Sequence, residues 1–339
     1  MRTRPDNALR FVPRQPKGHV ESFFLRANHP TRPLALWLKA TLFAPRPDSA
    51  VAELWCVWFD GERRRTFAGR ETVPFTRARF GTGDPQRIEL AGADFDLQPG
   101  GRLRGEVTGP GGPCAWDLTL SKPPGPLAEP FSIAPNDKLL DAPFPKSKLL
   151  TPFPVLRFDG TVRVFGETLA IDGWHGMQGH NWGESHAWQY AWGQCLFFDG
   201  EGSPHCFVEG FSARLRVGGR VTPLISSLVV RRGARSHRFD RLVDLWRQKA
   251  SIDDLRWRLH ITGDDGEAVV EMTADADRMA CLGYHNPDGR LSYCLNSKLA
   301  RVRLRVNPIN EPGFECQSEF GGALEFLRNE TDDRFAVIA

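Results

Sequence analysis

The 339-residue sequence has little that marks it for a membrane, a nucleic acid or a known cofactor. No apolar run approaches the roughly eighteen residues of a helical membrane span, which excludes a transmembrane segment of that kind. Residues 1–11 carry charge but no apolar stretch of signal-peptide length, so a cytoplasmic location is expected. Charge of one sign is scarce: 44 Lys and Arg stand against 41 Asp and Glu. So small an excess gives no strong field, and no nucleic-acid partner is expected. C-x-x-C pairs are missing, and the seven cysteines (Cys56, Cys114, Cys195, Cys206, Cys281, Cys294, Cys316) are odd in number and widely spread. That pattern argues against a disulfide framework and a structural zinc site, and the cysteines read as mostly buried thiols. There is no H-E-x-x-H, no G-x-S-x-G elbow, no Walker A loop and no dinucleotide-binding glycine motif leading into a helix. Neither a metal nor an organic cofactor is expected, and the oligomeric state is left open.

What is present reads as a globular, mostly β chain. Hydrophobic residues make up 41% and charged residues 25%, ordinary soluble usage, and the length is about twice that of a typical domain. Over residues 34–43, Leu34, Leu36, Leu38, Ala40 and Leu42 fall on one face of a strand, with Trp37, Lys39 and Phe43 on the other. Ala300, Val302, Leu304 and Val306 alternate with Arg301, Arg303 and Arg305, the pattern of a half-exposed strand. Gly218-Gly219 and the Asn286-Pro-Asp-Gly289 segment mark hairpin turns. One helix is predicted over 238–249, where Phe239, Leu242, Val243 and Trp246 recur at helical spacing. With 33 Gly and 26 Pro, an antiparallel sandwich or barrel fits better than an α/β fold. Nine prolines crowd residues 121–154 and predict an extended connector packed on its neighbours. Two echoes, the Cys56–Gly61 stretch with Cys195–Gly200 and Trp116–Leu120 with Trp257–Ile261, suggest halves of common design. The expected organisation is an N-terminal extension (1–17), a first β domain (18–122), a proline-rich connector (123–155) and a second β domain (156–339).

Functional side chains are densest over residues 173–193. If the chain is extended from His180, period two puts His180, Trp182, Glu184, His186, Trp188 and Tyr190 on one face. Asn181 and small residues take the other face, and a bulge at Gly183 would re-aim all that follows. Aromatic and ionisable groups on one side suit a cavity for an apolar ligand. A desolvated Glu184 among Trp rings would hold a raised pKa and act as general acid, with His180 or His186 orienting it or taking a proton back. Trp182, Trp188 and Tyr190 would face a developing cation. The plainer reading makes Glu184 a surface carboxylate and the aromatics ordinary core. His175, His180, Glu184 and His186 match no zinc spacing. Glu21, ahead of the first strong strand, and Asn296 and Lys298, ahead of the last alternating one, also place polar groups beside aromatics; strand-end hydrogen bonding is the competing explanation.

Gln178-Gly-His-Asn-Trp-Gly183, followed by His186-Ala187 and by Tyr190-Ala-Trp192, resembles the signature region of a superfamily that contains tocopherol cyclases, carotenoid 1,2-hydratases (hydroxyneurosporene synthases) and lipocalin-like Diels-Alderases. Gly18-His-Val-Glu-Ser-Phe-Phe24 is similar to the segment that opens the first domain of such proteins. The resemblance implies two packed lipocalin-like β domains acting on isoprenoid or polyketide-like apolar substrates without an organic cofactor. It also implies a ligand site that includes Gln178 and Asn181. One position departs: the hydratases resemble His-Asp-His-Asn-Trp-Gly here, so Gly179 stands where they carry an acid, and Glu184 is expected to supply that acid instead. The expected function is cofactor-independent cyclisation, hydration or isomerisation of an apolar small molecule by proton transfer. The alternative is a non-catalytic lipid or isoprenoid carrier using the same cavity.

Overall fold

A computed structural model describes residues 7–82, 86–241 and 248–338. Two large sheets, of twelve and eleven strands, account for nearly all of the regular structure; their pairings are antiparallel except that of Ala280–His285 with Val337–Ile338. Among the described residues, helical structure is confined to turns of three or four residues. The helix predicted over 238–249 has strand at either end instead, Arg235–Phe239 and Gln248–Asp253. Phe239 is drawn into the second core opposite Leu228. Residues 242–247, with Leu242, Val243 and Trp246, lie outside the described residues.

At the centre of the first sheet is His19–Asn28, paired with Leu34–Ala44 on one side and Glu167–Gly183 on the other. Beyond Glu167–Gly183 come Ser147–Val164, then Gly112–Ser121 and Arg102–Gly109. The second sheet repeats this order strand for strand. Gln189–Phe198 lies between Pro204–Arg214 and Phe314–Arg328, followed by Leu291–Pro308, Gly266–Thr273 and Arg256–Gly263. In each half, the last two strands of the half close the sheet between its opening and middle strands. The two sequence echoes do not mark this equivalence. Cys56 lies on the third strand of its half and Cys195 on the first of the other, so similar strand chemistry rather than equivalent position produced that match.

Ser147–Val164 and Glu167–Gly183 belong to the first sheet, so that half runs to Gly183, past the expected boundary at residue 122. The extended connector narrows to the stretch before Ser147. Pro152 and Pro154 sit inside a strand because its pairing with Glu167–Gly183 shifts register twice there, between Leu150 and Phe153 and between Phe153 and Leu156. A proline removes a ladder donor, and an irregular stretch has fewer ladder bonds to lose.

Each half has its own apolar core, and a third cluster fills the seam between the sheets. Leu34, Leu36, Leu38, Ala40 and Leu42 enter the first core, whereas Trp37 turns into the seam. Central strands are thus buried on both faces; every residue of His19–Asn28 is buried. Only away from the seam does clean alternation return, with Val302, Leu304 and Val306 buried between exposed Arg301, Arg303 and Arg305. All seven cysteines are free thiols, six of them buried.

Candidate functional site

A cavity of about 400 Å³ opens in the seam, walled by Phe24 and Trp37 of the first sheet and by Trp192 and Phe211 of the second. The connector supplies its remaining wall through Ile133, Leu140 and Phe144. Into this apolar space reach Lys39, Asn181, His186, Tyr190, Tyr284 and Glu325.

Most of these groups are held by neighbours that fix their protonation. Glu325 Oε1 accepts from Lys298 Nζ at 2.7 Å and from Asn296 Nδ2 at 3.1 Å. Both donors were singled out by sequence, and they stand behind the cavity wall as the carboxylate's anchors. Lys39 Nζ lies 3.9 Å above the centre of the Tyr284 ring, and burial pulls its pKa down against the attraction of Glu325 and Glu53. His186 meets the Tyr284 ring edge-on at 5.4 Å. Burial, reinforced by Lys39 and Arg290, takes its pKa down to about 3, so its imidazole is neutral near pH 7. Burial, with the negative charge of Glu325 adding to it, keeps the Tyr190 and Tyr284 phenols protonated far above neutrality. Asn181 Oδ1 is buried without a hydrogen-bond partner among the described residues. The arrangement sets hydrogen-bonding groups and two carboxylates, Glu325 and Asp240, against a mostly apolar, aromatic-walled volume.

The expected array on a single face is split three ways. Through Gly183 the period of two holds, and Gln178, His180 and Trp182 share the face of Glu21, turned into the first half and away from the cavity. Glu21 there is fully buried and accepts four donors: the backbone N–H groups of Arg10 (2.8 Å) and Phe11 (2.9 Å), His19 Nε2 (2.9 Å) and His180 Nε2 (2.8 Å). Burial would raise its pKa, but the two histidines overcome this and bring it down to about 2. Gln178 accepts from Asn7 Nδ2 at 3.2 Å, and Arg10 lies over Trp182 at 5.2 Å. Glu21, Gln178, His180 and Trp182 therefore pin the N-terminal segment onto the first half.

The strand ends at Gly183, whose φ is +154° and at which a Cβ would lie 1.8 Å from the Lys146 carbonyl oxygen. That approach turns the chain, and alternation stops. Glu184 lies near the surface, in ion pairs with Lys17 and with Lys146 (3.3 Å). Partial burial pushes its pKa up, but the two lysines outweigh that and leave it below the ordinary carboxylate value. The raised-pKa acid expected at Glu184 is thus corrected: no Trp ring desolvates it, and it is ionised. Trp188 stacks on Arg216 (5.1 Å) and Arg290 (5.3 Å) outside the cavity. Of the segment's expected site residues, Asn181, His186 and Tyr190 reach the cavity. Glu184→Gln is accordingly expected to change stability by less than about 1 kcal/mol and ligand affinity not at all, as urea melts and fluorescence titration would show.

Gly179, where the resemblance implies an acid, is closely packed. A Cβ on Gly179 would fall 2.2 Å from the Phe24 ring, so the space an acid would take is filled by a cavity wall. Sequence reasoning missed Lys39, Tyr284 and Glu325. Lys39 left one signal, as the single charged residue in the strand Leu34–Ala44.

No protein-family model matches the chain. Two uncharacterized proteins of Mycobacterium tuberculosis are 24% identical to it over 289 residues, 85% of this chain and 82% of each relative. Among solved structures, an AttH-like protein of Nitrosomonas europaea is similar with a TM-score of 0.55 and 13% identity, over 92% of this chain and 93% of that one. Kievitone hydratase of Nectria haematococca gives 0.51 and 14%, over 97% and 98%. CghA, solved with Sch 210972, gives 0.53 and 9%, over 93% and 89%. These likenesses show the fold, which is the mostly β, lipocalin-like class expected from the sequence.

Proposed function

We propose that this protein is an enzyme that takes an apolar, isoprenoid-like or polyketide-like small molecule into the seam cavity and promotes its cyclisation, hydration or isomerisation through its own side chains. The observation that carries the reading is the pair of protonated phenols, Tyr190 and Tyr284, with Lys39 beside them, facing apolar walls. Donors fixed among apolar walls stabilise negative charge on a substrate oxygen better than water does, and they need no reorganisation as that charge develops. Polarising such an oxygen withdraws electrons from a conjugated system and opens it to ring closure, to addition of water or to migration of a double bond. Tyr284, whose ring packs against Lys39 and His186, is assigned as the proton donor; Asn181 and Trp192 orient the ligand. Two of the similar folds support this reading, one of them named as a hydratase.

A carrier would need the aromatic walls and nothing more. Burying Lys39, Lys298 and Glu325 costs solvation that a carrier has no reason to spend. The test begins with organic extraction and native mass spectrometry of the purified protein to identify a ligand, followed by turnover assays on that compound class. Tyr284→Phe is expected to lower kcat by roughly 100-fold while affinity changes by less than about threefold. Absence of turnover in the unaltered protein across isoprenoid and polyketide-like compounds that it binds would establish the carrier instead.

A further inference from the structure

Lys39 is the buried lysine of the cavity wall; Lys148, which also lines the cavity, is half-buried. Neither a hydrogen bond nor an ion pair to Lys39 Nζ is found among the described residues, and its surroundings are rings: Tyr284 at 3.9 Å and Trp37 and Trp55 each at 5.8 Å. Both nearby carboxylates are engaged elsewhere. Glu325 is held by Lys298 and Asn296, and Glu53 accepts from Arg70 (3.4 Å) and Trp55 Nε1 (3.2 Å). A second cation, Lys298, stands 5.5 Å from the same Trp37 ring. An amine buried among apolar groups beside another cation is shifted toward its neutral, nucleophilic form.

We propose that Lys39 is a nucleophile that condenses with an aldehyde or ketone group of the cavity's ligand to form a reversible Schiff base. The inference names a carbonyl as the substrate's reactive group and rests on the seam cavity being the ligand site. The Nζ lone pair adds to the carbonyl carbon and forms a C–N bond. The carbonyl oxygen takes a proton to become a hydroxyl, and nitrogen gives one up. That hydroxyl then leaves with a second proton as water while the C=N bond forms. One amine and one carbonyl give one imine and one water, with no change of oxidation state. Tyr284, with Lys39 over its ring, and Tyr190 are the phenols available to protonate the oxygen. Apolar walls keep bulk water from reversing the step, and a protonated imine draws electrons from a conjugated chain more strongly than the carbonyl it replaces.

The test incubates the full chain with decanal and sodium cyanoborohydride, which reduces an imine to a stable secondary amine, and maps the labelled lysine by peptide mass spectrometry. In parallel, titration calorimetry with decanol, which cannot form an imine, reports whether the cavity binds the alkyl chain at all. The expected result is one decyl group at Lys39, gained at least about tenfold faster than at exposed lysines such as Lys146, and slowed by excess decanol. Lys39→Met, of similar volume, should bind decanol and gain no such label. Decanol binding with Lys39 labelled no faster than Lys146 overturns the Schiff base and leaves the cavity reading standing. Absence of decanol binding overturns both. Because the label is mapped in the unaltered protein, the result does not depend on the variant folding.

Discussion

Replacing Glu21 by Gln is expected to destabilise the protein by about 3 kcal/mol and to remove much of the acid-side slope of its stability. Glu21 is a buried carboxylate whose two oxygens accept four donors, two from histidines and two from the backbone of the N-terminal segment. A neutral amide presents one acceptor oxygen and sets its NH2 group against donors, so buried N–H groups lose their partner. Folding lowers the carboxyl's pKa from 4.5 to about 2. The stabilisation that this represents is fully present above pH 4.5, where the unfolded chain is also ionised. It declines as the pH falls from 4.5 toward 2, since the unfolded chain then binds a proton that the folded one refuses. Urea melts of both proteins at pH 3, 5 and 7 would measure it. A variant as stable as its parent, or one that keeps the parent's slope below pH 4.5, would show that Glu21 does not hold the N-terminal segment.

The same carboxylate shows where sequence reading succeeds and where it stops. That His180 and Trp182 share a neighbourhood was legible, because period two holds along an unbroken strand, whereas Glu21, on another strand, read only as a separate polar residue beside aromatics. Which neighbourhood was not legible. His19–Asn28 and Glu167–Gly183 are central strands buried on both faces, and alternation says only that residues take turns, not which side holds a cavity. The array projected past Gly183 failed for a local reason: the backbone there approaches the Lys146 carbonyl, the strand ends, and Glu184 meets two lysines far away in sequence or across the connector. Where one face met solvent, as over Ala300 to Val306, pattern and structure agree. Glu325 and Tyr284 lay beyond any local pattern. They are brought to Lys39 by the packing of one sheet on the other, which depends on contacts between strands more than 200 residues apart.

Lys298→Met is expected to cost about 3–5 kcal/mol, and adding Glu325→Leu to it should recover much of that loss. The Lys298 side chain is 1% exposed and that of Glu325 12%, with 2.7 Å between Nζ and Oε1, so the small values typical of surface ion pairs do not apply. Removing the lysine leaves a buried carboxylate with neutral donors alone, Asn296 Nδ2, Cys294 Sγ and the Tyr190 hydroxyl, and the lost charge pair is the larger part of the cost. Removing the carboxylate alone strands an ammonium beside the Trp37 and Trp192 rings, whose attraction is a fraction of what it loses. Taking both away substitutes apolar volume of similar size for two groups that were expensive to desolvate. A favourable coupling of at least about 2 kcal/mol should therefore separate the double variant from the sum of the singles in urea melts. The aromatic walls are untouched and the lining position of Glu325 becomes apolar, so the double variant should still bind an apolar ligand while losing turnover, because Glu325 no longer polarises Tyr190 and Tyr284. Additivity of the two single effects to within about 0.5 kcal/mol would mean that the pair is not the electrostatic anchor of the seam.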